Sequence, residues 1–380
     1  MANQNLGERV RAYLASPEFG DVPDHSLSGY WSYFHDRIDV SAGDGGFSVQ
    51  GESGFYEPQK SRSIVSKLLS LASDPKGYSR IVIRQVLLRL MAKFGFYLDL
   101  SVLPTDVAFD MVMSSDPLVD PGELVHDIAS AGGEVRHAAL SPYRLDYRKV
   151  AAAPGAFPNS ASVAADYRRY SPETAPSGEI HAVYHNYNIM NACGAFDDGF
   201  RYLEIGAGNG NLSNLLLQRR KGTCYIVDLP RTLLGSLEFL TRKNPKLTVT
   251  LPNEAAKGQG LDADLVFLTP AQLHIIQDKS LSLAVNTFSF QEMTPAQVED
   301  YFALIDRVVK PGGLFFTANR VEKIPYGVSS LSSSQNDAVM RFADYPWRPD
   351  WQTIVYEICR YNRLVLRDAS FIRVCRMPAR

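Results

Sequence analysis

Residues 201–211 run Arg-Tyr-Leu-Glu-Ile-Gly-Ala-Gly-Asn-Gly-Asn, an apolar stretch ending on an acid and followed by a glycine at every second position. Gly206, Gly208 and Gly210 make a turn in which no side chain obstructs the backbone, so a ligand can approach it closely. A dinucleotide fingerprint, G-x-G-x-x-G, needs glycine at 211, where this chain has Asn211. Glu204, two residues before the first glycine, attracts an ammonium group directly or through water and repels a diphosphate. S-adenosylmethionine, which has an ammonium and no pyrophosphate, meets both conditions. A second acid, Asp228, ends the next apolar run and suits the two hydroxyls of an adenosine ribose. It equally suits an N-cap for a helix begun by Pro230.

These residues need strands and helices to hold them. The pattern predicts strands at 200–205, 223–227, 265–268, 281–287 and 314–317, with helices from Leu212 to Gln218 and Pro295 to Val309. Lys310-Pro311-Gly312-Gly313 reads as a turn. The runs 351–359 and 369–377 read as an antiparallel hairpin closing the sheet. The expected class is therefore α/β, a Rossmann-like doubly wound sheet whose ligand sits at the carboxyl ends of the strands.

With Tyr184-His185-Asn186, Asp228-Leu229-Pro230, the segment Asn286 to Met293 and Tyr345-Pro346-Trp347, residues 170–380 resemble class I methyltransferases, and within them the sugar O-methyltransferase family of bacterial glycan and natural-product pathways. The amino-terminal half resembles it chiefly at Gly29-Tyr30-Trp31. The resemblance implies methyl transfer from S-adenosylmethionine to a hydroxyl of a sugar-like or natural-product small molecule. Two alternatives stay open: a nitrogen, oxygen or carboxylate acceptor on a non-sugar intermediate, and a non-catalytic cofactor-binding module. The expected cofactor set is Tyr184, Glu204, Gly206, Ala207, Gly208, Gly210, Asp228, Leu229 and Asn286.

A hydroxyl acceptor requires positioning and a base. His185, which titrates near neutrality, and Glu292, just past the fourth predicted strand, are the catalytic candidates. His185 also suits a hydrogen-bond network among its polar neighbours, and Glu292 a cap for the helix at Pro295. Ser289, Gln291, Asn319, Arg320, Tyr345 and Trp347 are the expected substrate contacts, aromatic faces with amide and hydroxyl groups. The segment 324–351 that carries the last two also suits a lid over the cofactor. Asp262, Asp264 and Glu292 are the only nearby carboxylates for a metal, too few for an oxygen-ligand cluster, so no metal is expected.

Composition limits the partners. A net charge of −2 provides no basic field for nucleic acid. Residues 81–100 are apolar but carry Arg84, Arg89, Lys93 and Asp99, which fits a packed helix rather than a membrane span. The four cysteines, at 193, 224, 359 and 375, lack metal-site spacing and read as reduced core thiols. A cytoplasmic enzyme with a small-molecule substrate is expected. Helical apolar spacing at 64–72, 80–94 and 121–131 predicts a mainly helical accessory domain over 1–150, with a glycine-rich loop at 37–56. An Ala-, Pro- and Ser-rich linker over 151–177 and the cofactor domain over 178–380 follow. The apolar face of 80–94 must be buried, against the cofactor domain and in a homodimer contact.

Overall fold

A computed structural model describes residues 5–20, 38–43, 46–51, 104–114, 142–197, 199–323, 340–361 and 370–379. The helices expected at 64–72, 80–94 and 121–131, and residues 324–339 of the expected lid, lie outside the described residues.

At the centre are strands of nearly unbroken apolar sequence. In chain order they are β3 (Arg201–Ile205), β4 (Thr223–Val227), β5 (Val249–Thr250), β6 (Leu265–Leu268), β7 (Leu281–Thr287), β8 (Val309–Arg320), β11 (Gln352–Ile358) and β12 (Ser370–Arg376). Two short pairs lie outside the sheet, the hairpin β1 (Ile38–Gly43) with β2 (Gly46–Gly51), and β9 (Glu322–Lys323) with β10 (Met340–Arg341). The sheet order is β11-β12-β8-β7-β3-β4-β6-β5. Neighbours from β8 to β5 run parallel, and β12 is antiparallel to both β8 and β11. Parallel strands covered on both faces must be apolar on both faces, which explains runs such as Leu-Val-Phe-Leu in β6.

From β3 the chain moves outward through β4 to the edge strand β5, steps back to β6 and returns to β7 on the other flank of β3. The crevice at that reversal, outside the carboxyl ends of β3 and β7, is where sheets of this kind take ligands. The architecture is the class I methyltransferase fold, Rossmann-like and closed by an antiparallel hairpin.

Helices cover both faces. One face carries α6 (Gly178–Ala192), α7 (Asn211–Leu217) and α8 (Pro230–Lys243), the other carries α10 (Pro295–Val308), and the short α9 (Pro252–Ala255) follows β5. The start of α10 is set by Thr294, whose Oγ1 accepts from Gln297 N while Gln297 Oε1 accepts from Thr294 N at 2.8 Å, with Pro295 at the first helical position. Glu292 is therefore not that helix's cap.

The described amino-terminal elements are α1 (Leu6–Leu14), α2 (Pro17–Gly20), the β1–β2 hairpin, α3 (Thr105–Met113), α4 (Tyr147–Ala152) and α5 (Ser160–Tyr167). Their residues Val10, Phe109, Tyr147 and Val163 join the same buried cluster as Leu216 and Ile226 of the α6–α8 face. The stretch expected as linker contains α5 and buries Phe157 and Val163. The expected glycine-rich loop contains an antiparallel hairpin in register from Ile38↔Gly51 to Gly43↔Gly46. Arg9 fastens this layer through bidentate bonds to Glu254 at 2.6 Å. Arg231 adds a bond to Ile38 O at 2.7 Å. At the end of α7, Arg219 pairs with Asp166 of α5 and lies 4.5 Å over the Phe157 ring.

All four cysteines are free, and three of them are buried. Among the described residues no helix is long and apolar enough to cross a membrane.

Candidate active site

Where β3 ends, the backbone turns through Gly206, Gly208 and Gly210 at φ of 72°, 55° and 78°. Side chains other than glycine rarely adopt such angles. Gly206 N donates to Val227 O at 2.8 Å, binding the turn to β4. Gly210 O then accepts from Asn214 N at 2.8 Å and opens α7. Behind the turn stands Ser289, in the space a Cβ on Gly206 would need, while a Cβ on Gly208 would meet nothing within 4 Å among the described residues. The turn is thus packed on one side and open on the other, at the carboxyl edge of the sheet.

Asp228, at the end of β4, supports the turn from below. Its Oδ2 accepts from Gly208 N at 3.2 Å and its Oδ1 from Leu229 N at 2.8 Å. Each oxygen retains capacity for a further donor, such as a ribose hydroxyl. The group is 9% exposed. Burial pushes its carboxyl up to about 7 against the two backbone N–H bonds, with the charge of Glu292 a smaller contribution in the same direction. Glu179, at the start of α6, accepts from Asn209 at 2.7 Å and Asn211 at 3.3 Å, seating that helix over the turn. Its role was not evident from sequence, although its place in the first turn of a helix leading into the glycine motif was a usable signal.

Glu204 lies deeper than expected. Its carboxylate is 2% exposed and accepts from Ser213 Oγ of α7. Ser213 Oγ in turn accepts from Tyr202 Oη at 2.7 Å. Burial raises Glu204 to about 7. It acts on the site as a charge beneath the turn rather than as a surface ligand.

The open face of Gly208, the ribose-competent Asp228 and the negative field of Glu204, Asp228 and Glu292 fit a cofactor that is cationic and lacks a diphosphate. Residues 203–317 match the family model described as methyltransferase domain. The chain carries a methyltransferase domain. Its cofactor is S-adenosylmethionine. Among solved structures, this methyltransferase domain is similar to geranyl diphosphate methyltransferase in complex with its methyl donor, at 14% identity and TM-score 0.37, over 62% of this chain and 96% of that one. It is also similar to Haemonchus contortus phosphoethanolamine N-methyltransferase 2, at 13% identity and TM-score 0.35, over 51% and 52%. The strand order, not these distant likenesses, carries the fold assignment. No curated protein matches the chain.

Several expected site residues are elsewhere around the methyltransferase domain. Tyr184, expected at the cofactor, is buried, with its hydroxyl donating to Asp166 at 2.6 Å and its ring edge-on to Phe157. His185, expected as the base, is 1% exposed. Its Nε2 lies 3.1 Å from Tyr147 Oη, and that hydroxyl donates to Glu357 at 2.8 Å. Its ring stacks with Tyr147 and Tyr361. With Tyr147's single proton given to Glu357, the histidine donates from Nε2. Burial holds its pKa down to about 4. The structure gives this imidazole a place in an internal network with Tyr147, Glu357 and Tyr361.

Asn286 is 0% exposed and uses its whole amide inside the protein. Nδ2 donates to Ile205 O at 3.0 Å and to Ser289 Oγ, while Oδ1 accepts from Asn319 at 2.9 Å and Phe290 N at 3.3 Å. Asn319 is equally buried, and Gln291 Oε1 accepts from Arg320 N at 2.8 Å. These expected ligand contacts instead form an amide chain that joins the ends of β3, β7 and β8. Tyr345 and Trp347 belong to the aromatic layer with Phe290, Phe302 and Phe342. Trp347 also donates to Phe342 O at 3.0 Å and lies under the Arg373 guanidinium. Of the expected catalytic and substrate residues, Glu292 and Arg320 retain half-buried positions at the carboxyl edge. Asp264 is occupied by Thr248, from which it accepts two bonds at 2.7 Å.

Proposed function

We propose that the protein methylates a hydroxyl of a small, hydroxyl-rich acceptor, such as a sugar or a related natural-product intermediate, with Glu292 as the proton acceptor. S-adenosylmethionine supplies an electrophilic methyl group when bound. The glycine turn and Asp228 hold the adenosine and methionine portions. The amide chain from Asn286 through Asn319 to Gln291 and Arg320 N fixes the short 3-10 turn Phe290–Glu292, and with it the backbone that carries Glu292. Such registration is what in-line transfer needs, because most of the rate gain comes from positioning.

The observation that carries this reading is Glu292 itself. It is a half-buried carboxylate at the end of β7, close enough to raise Asp228, at the edge where the methyl group must be delivered. A carboxylate there can take the hydroxyl's proton as the new bond forms. The same negative field supports a second reading, in which the acceptor is a cationic amine that loses its proton on entry. The low net charge supports a small molecule over nucleic acid as acceptor.

The test is release of S-adenosylhomocysteine by the full chain across panels of sugars, phenols, amines and carboxylic acids. Turnover confined to hydroxyl acceptors, and lowered roughly a hundredfold or more in Glu292→Gln, supports the proposal. Turnover on amines alone transfers it to the second reading. Cofactor binding without turnover on any acceptor class points to a binding module.

A further inference from the structure

Phe288, the first residue past β7, has a left-handed backbone at φ 58°. A bulky aromatic residue is strained at that angle, where glycine or asparagine would sit at less cost. The conformation persists because bonds fix the chain on both sides of it. Phe288 N donates to Ala318 O at 2.8 Å, Ser289 Oγ to Ile205 O at 3.1 Å, and Phe290 N to Asn286 Oδ1 at 3.3 Å. Core packing does not account for the ring. Phe288 is half-buried, belongs to neither buried apolar cluster and meets no other ring among the described residues. Phe290, by contrast, lies against Tyr301, Phe302, Phe315 and Tyr345. Asn286, Ser289, Phe290 and Gln291 are all buried, so from the end of β7 to Glu292 the partly exposed side chains are Thr287, Phe288 and Glu292. Ser289, next in the chain to Phe288, stands against Gly206 of the cofactor turn, and Glu292 ends the 3-10 turn that follows. What must reach both the methyl donor and the Glu292 carboxylate is the acceptor.

We propose that Phe288 is a specificity-determining residue whose ring is the platform for the acceptor, so that the site selects a hydroxyl carried on a ring over one carried on an open chain. This inference rests on the proposed methylation of a hydroxyl and adds the shape of the molecule that bears it. An aromatic face gains little from a hydroxyl but much from an apolar surface laid flat on it, through dispersion and its quadrupole. The C–H face of a sugar ring and the face of a phenol both offer such a surface. An open-chain polyol offers none, and it loses more internal rotation on binding. The backbone strain then has a reason: glycine or asparagine would make the same turn, but neither would supply the face.

The experiment compares methyl transfer by the full chain to matched acceptors, methyl glycosides against alditols and phenols against aliphatic alcohols, as ratios of kcat/KM. The parent is expected to favour the cyclic member, and the pair in which it does so tells a sugar from an aromatic ring. Phe288→Leu is expected to lower that ratio by about threefold to tenfold, the worth of an aromatic contact, with the dissociation constant of S-adenosylmethionine within about twofold of the parent's. Phe288→Tyr, which keeps the face, is expected to restore the ratio. If Phe288→Leu does not fold, Phe288→Asn, which tolerates the left-handed angle, takes its place. Phe288→Gly removes ring and strain together and is expected to unfold at a higher urea concentration than the parent. A lower midpoint for that variant would make the ring part of the core and overturn the inference. A ratio unchanged in Phe288→Leu, or equal use of cyclic and open-chain acceptors by the parent, would overturn it alone. Turnover on amines only, or on no acceptor class, would overturn the hydroxyl reading and the inference with it.

Discussion

Ser289 Oγ occupies the space that a Cβ on Gly206 would require, and it donates to Ile205 O at 3.1 Å just ahead of that glycine. The segment following β7 and the glycine turn are thereby tied together, since Asn286 donates to the same carbonyl at 3.0 Å. Gly206→Ala is expected to weaken cofactor binding by at least tenfold and to cost about 1–3 kcal/mol of stability, from the clash and the positive φ together. Adding Ser289→Gly removes the clash and leaves the φ, so the double variant should recover only part of both losses. Calorimetry with chemical denaturation measures the two quantities, and full recovery would show that φ was not strained.

Asp228 holds two backbone N–H groups of the cradle. Asp228→Ala is expected to weaken S-adenosylmethionine by about 1–3 kcal/mol in a folded protein, the size of lost hydrogen bonds to a charged group. Unchanged affinity by calorimetry would remove Asp228 from the cofactor site.

His185, expected as the base, is buried in a network with Tyr147. His185→Phe keeps the ring stack and loses the bond to Tyr147, so it is expected to cost about 1–3 kcal/mol of stability while kcat stays within about threefold. A fall in kcat of a hundredfold or more, with the fold intact by circular dichroism, would return the proton to the histidine.

Stability of the cofactor-free protein should depend on pH through two opposed sets of groups. Glu204 and Asp228 are raised to about 7, so between roughly pH 4 and pH 7 the folded chain retains protons that the unfolded chain has released, and stability falls as pH rises. His185, lowered to about 4, acts in the opposite direction: the unfolded chain takes up its proton below about pH 6.5, so stability falls as pH drops from there. His181 is lowered in the same direction by burial. Near pH 7 the carboxylates dominate. Glu204→Gln is expected to be more stable than the parent at pH 8, by up to about 3 kcal/mol, and about equal to it near pH 5. Urea titrations at the two pH values measure this, and an equal offset at both would contradict it.

Among the described residues no group of three His, Cys, Asp or Glu side chains is placed to hold a metal ion. Activity is expected to survive dialysis against EDTA, and loss restored by magnesium would require oxygen ligands from elsewhere in the chain.

The sequence by itself determined the parts of this protein whose cause is local. Three alternating glycines permit the positive φ that the turn adopts, short runs such as 223–227 and 265–268 are apolar on both faces because a covered parallel sheet allows little else, and Pro230 and Thr294-Pro295 set helix starts through bonds within a few residues. Those local causes were enough to place the glycine turn, Asp228 at the end of its strand and the closing hairpin. Tertiary structure alone decided where the polar side chains point. Helix α6 is buried on several faces at once, beneath α3, α4 and Tyr361 as well as against α7, so His181, Tyr184, His185, Asn186 and Asn188 are all interior and its sequence has no polar face to mark them. Asn286 and Asn319 are polar residues at strand ends, as ligand contacts often are, yet their amides satisfy each other and the carbonyl of Ile205, from strands up to 114 residues away in the chain. Glu204 followed the same rule, its carboxylate drawn inward by a serine of the next helix. A buried polar group must find partners, and which partners come within reach depends on elements distant in sequence, so residue type alone cannot separate a ligand contact from an internal bond.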